Sequence, residues 1–115
     1  MNELIARGII PEIEERKLSG YLLSHDHEIG RSKAEFFNLC QVTSSVQLRQ
    51  VLLQVWMLGN STFLEDNVQG SKYAIAADVI FPDGKARRLK TVWIIHFEEP
   101  SIAKFVTAHP KKLRQ

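Results

Sequence analysis

The spacing of hydrophobic positions changes near the middle of the chain. Before Gly70 they recur at helical intervals, and after it they crowd into short runs rich in β-formers. Pro11, followed by Glu12, Glu14 and Glu15, predicts the start of a short helix, because proline suits the first helical position and acidic groups suit the positive end of the helix dipole. Arg16 and Lys17 close this helix and Gly20 stops it. Tyr21-Leu22-Leu23 then forms a short buried segment, and Ser24 to Gly30 a polar loop.

Two capping boxes follow. Ser32-x-x-Glu35 places a helix start at Lys33, with Phe36, Phe37 and Cys40 on its inner face. Ser44-x-x-Gln47 starts a second helix that runs to Leu58 and stops at Gly59. Its apolar stripe is Leu48, Val51, Leu52, Val55 and Trp56, widened by Met57 and Leu58, while Gln47, Gln50 and Gln54 face water. Trp56 and Met57 are expected in the core.

Residues 72–81 predict a strand, and Phe81-Pro82-Asp83-Gly84 a hairpin turn. A second strand returns over 86–97, Pro100 breaks it, and a third runs over 103–109 to Pro110; a shorter strand near 62–68 is also expected. The expected fold is therefore α+β: N-terminal helices packed on a C-terminal twisted antiparallel sheet of three to four strands, in a single domain spanning 1–115. Strand alternation puts Arg88 and Lys90 on one face with Arg87 opposite. It likewise groups Phe105, Thr107 and His109 against Val106 and Ala108.

Composition narrows the class without naming an activity. The 115 residues are 44% hydrophobic and 24% charged, ordinary for a soluble globular protein and unlike disordered or fibrous chains. The strongest apolar run, Val92-Trp93-Ile94-Ile95, is too short to span a membrane, and Glu3 and Arg7 interrupt the N-terminal apolar stretch where a signal peptide would be continuous. A single cysteine, Cys40, permits no internal disulfide and fits a reducing cytoplasm. The net charge of +2 is unevenly spread: residues 1–66 carry six Lys/Arg and nine Asp/Glu, residues 67–115 nine and four. A basic half suits phosphate or an acidic partner, and equally an ordinary solvated surface.

The groups with chemical capacity fall into two sets. His25 and His27 lie in the loop that leads to the helix beginning near Lys33, and Arg31 and Lys33 flank that helix start, where free N–H groups and cations together suit a phosphate. An imidazole there can move protons near neutral pH. The second set is on the strands: Lys72, Arg88 and Lys90, with Thr107 and His109 spaced i, i+2, line a candidate phosphodiester site. Each residue taken alone is an ordinary cap or surface charge, and His96 is expected to be structural. His25-Asp26-His27-Glu28 offers potential metal ligands, but neighbours on a loop cannot all reach one ion, and no metal is expected. Cys40 sits on an apolar helix face and is expected to be inert. No glycine-rich phosphate loop is present, so no cofactor is expected.

The order Lys17-Leu18-x-x-Tyr21-Leu22-Leu23, then His27-x-x-Gly30-Arg31-Ser32-Lys33-Ala34-x-Phe36-Phe37, resembles a small bacterial family common in cyanobacteria that is classed as a domain of unknown function. Gly70-x-Lys72-Tyr73, Thr91-Val92-Trp93 and Val106-Thr107-Ala108-His109-Pro110 extend the likeness over about residues 10–110. In plan this family is similar to toxin nucleases grouped with barnase, EndoU, colicin and RelE-type ribonucleases, many of which belong to toxin–antitoxin systems. The resemblance points to His27, Arg31, Lys33, Lys72, Thr107 and His109. Joined with the strand-face cations Arg88 and Lys90, the expectation is a metal-independent endoribonuclease with His27, Lys33, Thr107 and His109 as catalytic residues and Arg31, Lys72, Arg88 and Lys90 on the phosphate. It also implies RNA as substrate and a small antitoxin or neighbour-encoded protein as partner. The competing expectation is a non-catalytic module that binds a protein or nucleic acid, and a homodimer is a third.

Overall fold

The computed structural model describes residues 2–24 and 31–110. Along the chain run α1 (Glu3–Ala6), β1 (Ile10–Glu12), α2 (Glu15–Lys17), a π-helical turn (Leu18–Leu22), α3 (Arg31–Leu39), α4 (Ser45–Leu58), β2 (Asn60–Asp66), β3 (Gly70–Ile80), β4 (Ala86–His96) and β5 (Ile102–Pro110). The α+β class is as expected, but the described residues form a five-stranded sheet, in the order β1-β5-β4-β3-β2. The extra strand is β1, parallel to β5, while every other pairing is antiparallel. Pro11 therefore lies in a strand and does not open a helix. It has no N–H to donate, which suits the outermost strand, and Ile10 N–H reaches Ser101 O at 2.9 Å.

The long helix follows its sequence signals. Ser44 Oγ accepts from Gln47 N–H at 3.2 Å, and the Gln47 carboxamide oxygen reaches back to Thr43 N–H at 2.8 Å. Leu48, Val51, Leu52, Val55 and Trp56 are buried beneath it. Met57, expected in the core, is instead 59% exposed, because the stripe rotates away from the sheet in the last turn. α3 begins at Arg31, two residues ahead of the expected start, which leaves Ser32 inside the helix and not at its cap. Phe37 and Cys40 are buried below it, and burial raises the Cys40 thiol pKa.

Trp93 anchors the core, with the Trp56 ring 4.9 Å away on α4 and the Phe105 ring 5.3 Å away on β5. Its indole N–H donates to Thr91 Oγ1 at 2.7 Å, and Thr91 in turn donates to Ile75 O at 2.8 Å. At the β3–β4 hairpin Gly84 takes a φ of 83°, and Gly84 N–H closes the turn on Phe81 O at 2.8 Å. Arg87 grips Asp83 with both terminal guanidinium nitrogens, at 2.9 and 2.6 Å, and holds its carboxyl pKa at about 2.

One irregularity in β5 decides which residues meet. Trp93 pairs with Phe105 and Val92 with Thr107, so a bulge inserts Val106 between them. Phe105 keeps the core face with Trp93, whereas Thr107 and His109 pass to the opposite face, opposite Val92 and Lys90. The expected grouping of Phe105 with Thr107 and His109 is overturned by that inserted residue.

Candidate active site

β1 covers β5 only over Ile102–Lys104, which leaves the rest of β5 at the sheet edge. Two elements converge there. The π-helical turn buries Leu18 and Leu22 and holds Tyr21 between them, half-buried; its wider turn is closed by Leu23 N–H on Leu18 O at 2.8 Å. The first turn of α3 supplies Lys33.

The Lys33 ammonium donates to Thr107 Oγ1 at 2.8 Å and to the Tyr21 hydroxyl oxygen at 3.0 Å, and the two hydroxyl oxygens are 3.1 Å apart. Lys33 also lies 5.2 Å from the Tyr21 ring centre. Burial of the phenol resists its ionisation. Hydrogen bonds from Lys33 and Thr107, with the Lys33 charge, outweigh that effect and bring the Tyr21 pKa below its ordinary value. An ammonium has three N–H donors, and the third N–H of Lys33 is not used within this triangle.

His109 lies one step along the same face, directly across from Lys90. Partial burial lowers its pKa, and the charges of Lys33 and Lys90 lower it further, so the imidazole is neutral at neutral pH. The sheet face beside it has a floor of small or branched apolar residues, Ala74, Ala76, Val92 and Ile94, with cations around them. Lys72 stands opposite Ile94 from β3, and Lys104 stands opposite it from β5 in an ion pair with Glu99 at 3.0 Å. Arg88 is two residues beyond Lys90 and leans toward Asp78 at 3.4 Å.

Of the residues expected at the site, Lys33 and Thr107 are in direct contact, with His109 and Lys90 beside them. Lys72 and Arg88 share the face at a greater distance along the strands. His25 and His27, the Glu28 and Asp26 carboxylates between and beside them, and the side chain of Arg31 lie outside the described residues. Among the described residues no group of three or more His, Cys, Asp or Glu side chains gathers as a metal site. Tyr21 is the member that residue-level reading missed. Its signal was present, since Tyr21 stands in the Lys17-Leu18-x-x-Tyr21 motif, but its position beside apolar Leu22 and Leu23 reads as core.

The sequence profile of a domain of unknown function (DUF6883) matches residues 9–112. The chain belongs to the DUF6883 family. The DUF6883 match takes in every member of the cluster just described. A search of curated proteins finds no match. Among solved structures, this DUF6883 chain is similar to a chain of a contact-dependent growth inhibition toxin–immunity protein complex from Klebsiella pneumoniae 342. The TM-score is 0.66 at 18% identity, covering 86% of this chain and 98% of that one, which is a likeness of fold. No helix among the described residues is long and apolar enough to cross a membrane.

Proposed function

We propose that this protein is a metal-independent endoribonuclease of the toxin type, acting on RNA at the outer face of β5. The observation that carries the reading is the contact of Lys33 with Thr107 and Tyr21, beside a neutral imidazole and on a cation-lined sheet face. His109, neutral and on the exposed face, takes the proton from the ribose 2′-OH. The 2′-oxygen then attacks the adjacent phosphorus, the bond from phosphorus to the 5′-oxygen breaks, and the departing oxygen takes a proton from the acid. His27, one of the loop residues outside the described part, is assigned as that acid. Lys33, with Arg31, neutralises the charge that builds on the phosphoryl oxygens, and Thr107 donates a hydrogen bond to them. Lys72, Arg88 and Lys90 hold the flanking phosphates. No metal or cofactor enters these steps, and a single reduced cysteine fits action in the cytoplasm.

Incubation of the purified protein with labelled tRNA and mRNA in EDTA tests this reading. The wild-type chain is expected to leave 2′,3′-cyclic phosphate ends. Lys33→Met and His27→Ala should each lose at least about a hundredfold in rate, the scale of one general acid–base group or one charge stabiliser. DNA of the same sequence should remain intact, and equal cleavage of DNA would overturn the mechanism.

A second reading, a module that binds a cognate partner protein, is favoured by a different observation. Leu53, Met57 and Leu58 line an open apolar hollow on α4, and Leu58 is 61% exposed. The similar solved chain comes from a toxin–immunity complex, and a partner seated on α4 would leave the β5 face uncovered. Absence of cleavage by the wild type, with capture of a neighbour-encoded protein that Leu58→Asp abolishes, is the result that selects this reading.

A further inference from the structure

The face that carries Thr107 and His109 continues along β4 through Lys90, Val92, Ile94 and His96, which alternate with Leu89, Thr91, Trp93 and Ile95 on the core face. It ends in a surface cavity of about 340 Å³ lined by Val68, Gln69, His96, Phe97 and Glu98. The walls of this cavity are tied in place. Asn67 Oδ1 accepts from Gln69 N–H at 2.8 Å and Gly70 N–H at 3.0 Å, and Phe97 N–H donates to Gln69 O at 3.0 Å. Gly70 makes the close approach that brings the β2–β3 loop over the end of β4. A Cβ there would lie 2.8 Å from His96 Cα and nearer still to Ile95 O.

The contents of the cavity differ from those of the cation-lined face. Phe97 presents a ring that is 59% exposed at the cavity, a flat π-face on which an unstacked base can lie. Glu98 repels a phosphodiester but accepts hydrogen bonds from a base edge that offers adjacent N–H donors, as guanine does. His96 lies four positions beyond Val92, the partner of Thr107, about 14 Å along an antiparallel strand. A nucleic acid strand advances about 3.4 Å per nucleotide while stacked and about twice that with its bases splayed, so the cavity lies about two nucleotides from Thr107.

We propose that the Gln69–His96–Phe97–Glu98 cavity is a base-binding subsite that takes an unstacked purine, guanine in preference, about two nucleotides from the cleaved phosphate. The proposal rests on the ribonuclease reading of the β5 face and assigns that site its substrate preference. Phe97 stacks on the base and Glu98 reads its Watson–Crick edge.

The test measures binding of uncleavable 2′-O-methyl oligonucleotides to the full chain: a pentamer of uridines with one guanine, the same pentamer with adenine, and a dinucleotide. Phe97→Ala should weaken the guanine pentamer about tenfold or more and leave the dinucleotide unchanged. Glu98→Gln should erase the preference for guanine over adenine. Both side chains are exposed, so an unaltered melting temperature is expected for both variants. Equal pentamer affinity for wild type and Phe97→Ala, or no pentamer binding at all, overturns the subsite. Cleavage of unmodified RNA is read in parallel. Pentamer binding that depends on Phe97 without any cleavage supports the subsite and removes the ribonuclease reading; cleavage with binding indifferent to Phe97 removes the subsite alone.

Discussion

Thr91 and Thr107 carry the same hydroxyl to opposite faces of the sheet, and their surroundings give them different work. Thr91 is fully buried and spends its oxygen on Trp93 Nε1 and its proton on Ile75 O. Replacing it with valine keeps the shape but strands the indole N–H, so Thr91→Val should cost about 1–3 kcal/mol in chemical denaturation without moving Lys33. Thr107 gives its oxygen to Lys33, so Thr107→Val should spare stability and impair phosphate handling. His109 offers a test of the electrostatics. Its pKa in the folded chain lies below the ordinary 6.5 through burial and then the charges of Lys33 and Lys90. The neutral base is present above that lowered pKa and is lost as pH falls through it. The acid limb of the rate profile should therefore fall below pH 6.5, and Lys90→Ala should shift it upward. A limb unmoved by Lys90→Ala would take His109 out of the reaction. For folding the sign is the same: a depressed histidine favours the folded chain above its unfolded pKa and adds less as pH falls toward the folded one.

Among the elements, α4 and the hairpin were legible because each is specified locally. Ser44, Gln47 and Gly59 bound the helix, and Pro82-Asp83-Gly84 supplies the turn chemistry. β1 was not legible, since three residues carry no period and Pro11 with three following glutamates has the composition of a helix start. What selects the strand is the free edge of β5, just ahead of which the Ser101 carbonyl takes Ile10 N–H. The π-helical turn and the β5 bulge were hidden for a related reason. Each adds one residue to a regular repeat, and together they bring Tyr21 and Thr107 to the same point at the sheet edge. α3 ends with another local departure: Gln41 takes a φ of 64°, the left-handed conformation in which glycine is usual. Gln41 is exposed, so Gln41→Gly should remove that backbone cost and stabilise the fold by about 0.5–1 kcal/mol, seen as a higher Tm.

Across the whole molecule, three cations of the second half, Lys72, Arg88 and Lys90, share one sheet face. Lys72 comes from β3 and Arg88 and Lys90 from alternate positions of β4, with Lys33 arriving from the helical half. RNA binding should therefore weaken with salt. If these four cations each neutralise one phosphate, the logarithmic slope is about −2.8, and removing Lys72 or Lys90 should reduce its magnitude by about 0.7. A slope near zero in the wild type would mean that this face does not bind a phosphate backbone. The sequence by itself determined the class of fold, the long helix, the hairpin and the identity of most cluster members, because periodicity, caps and turn residues act within a few positions of one another. Only the tertiary structure decided that Lys33, Tyr21 and Thr107 touch. That contact depends on a fifth strand that stops short along β5, a widened helical turn and a single inserted residue, and none of these leaves a periodic trace in the sequence.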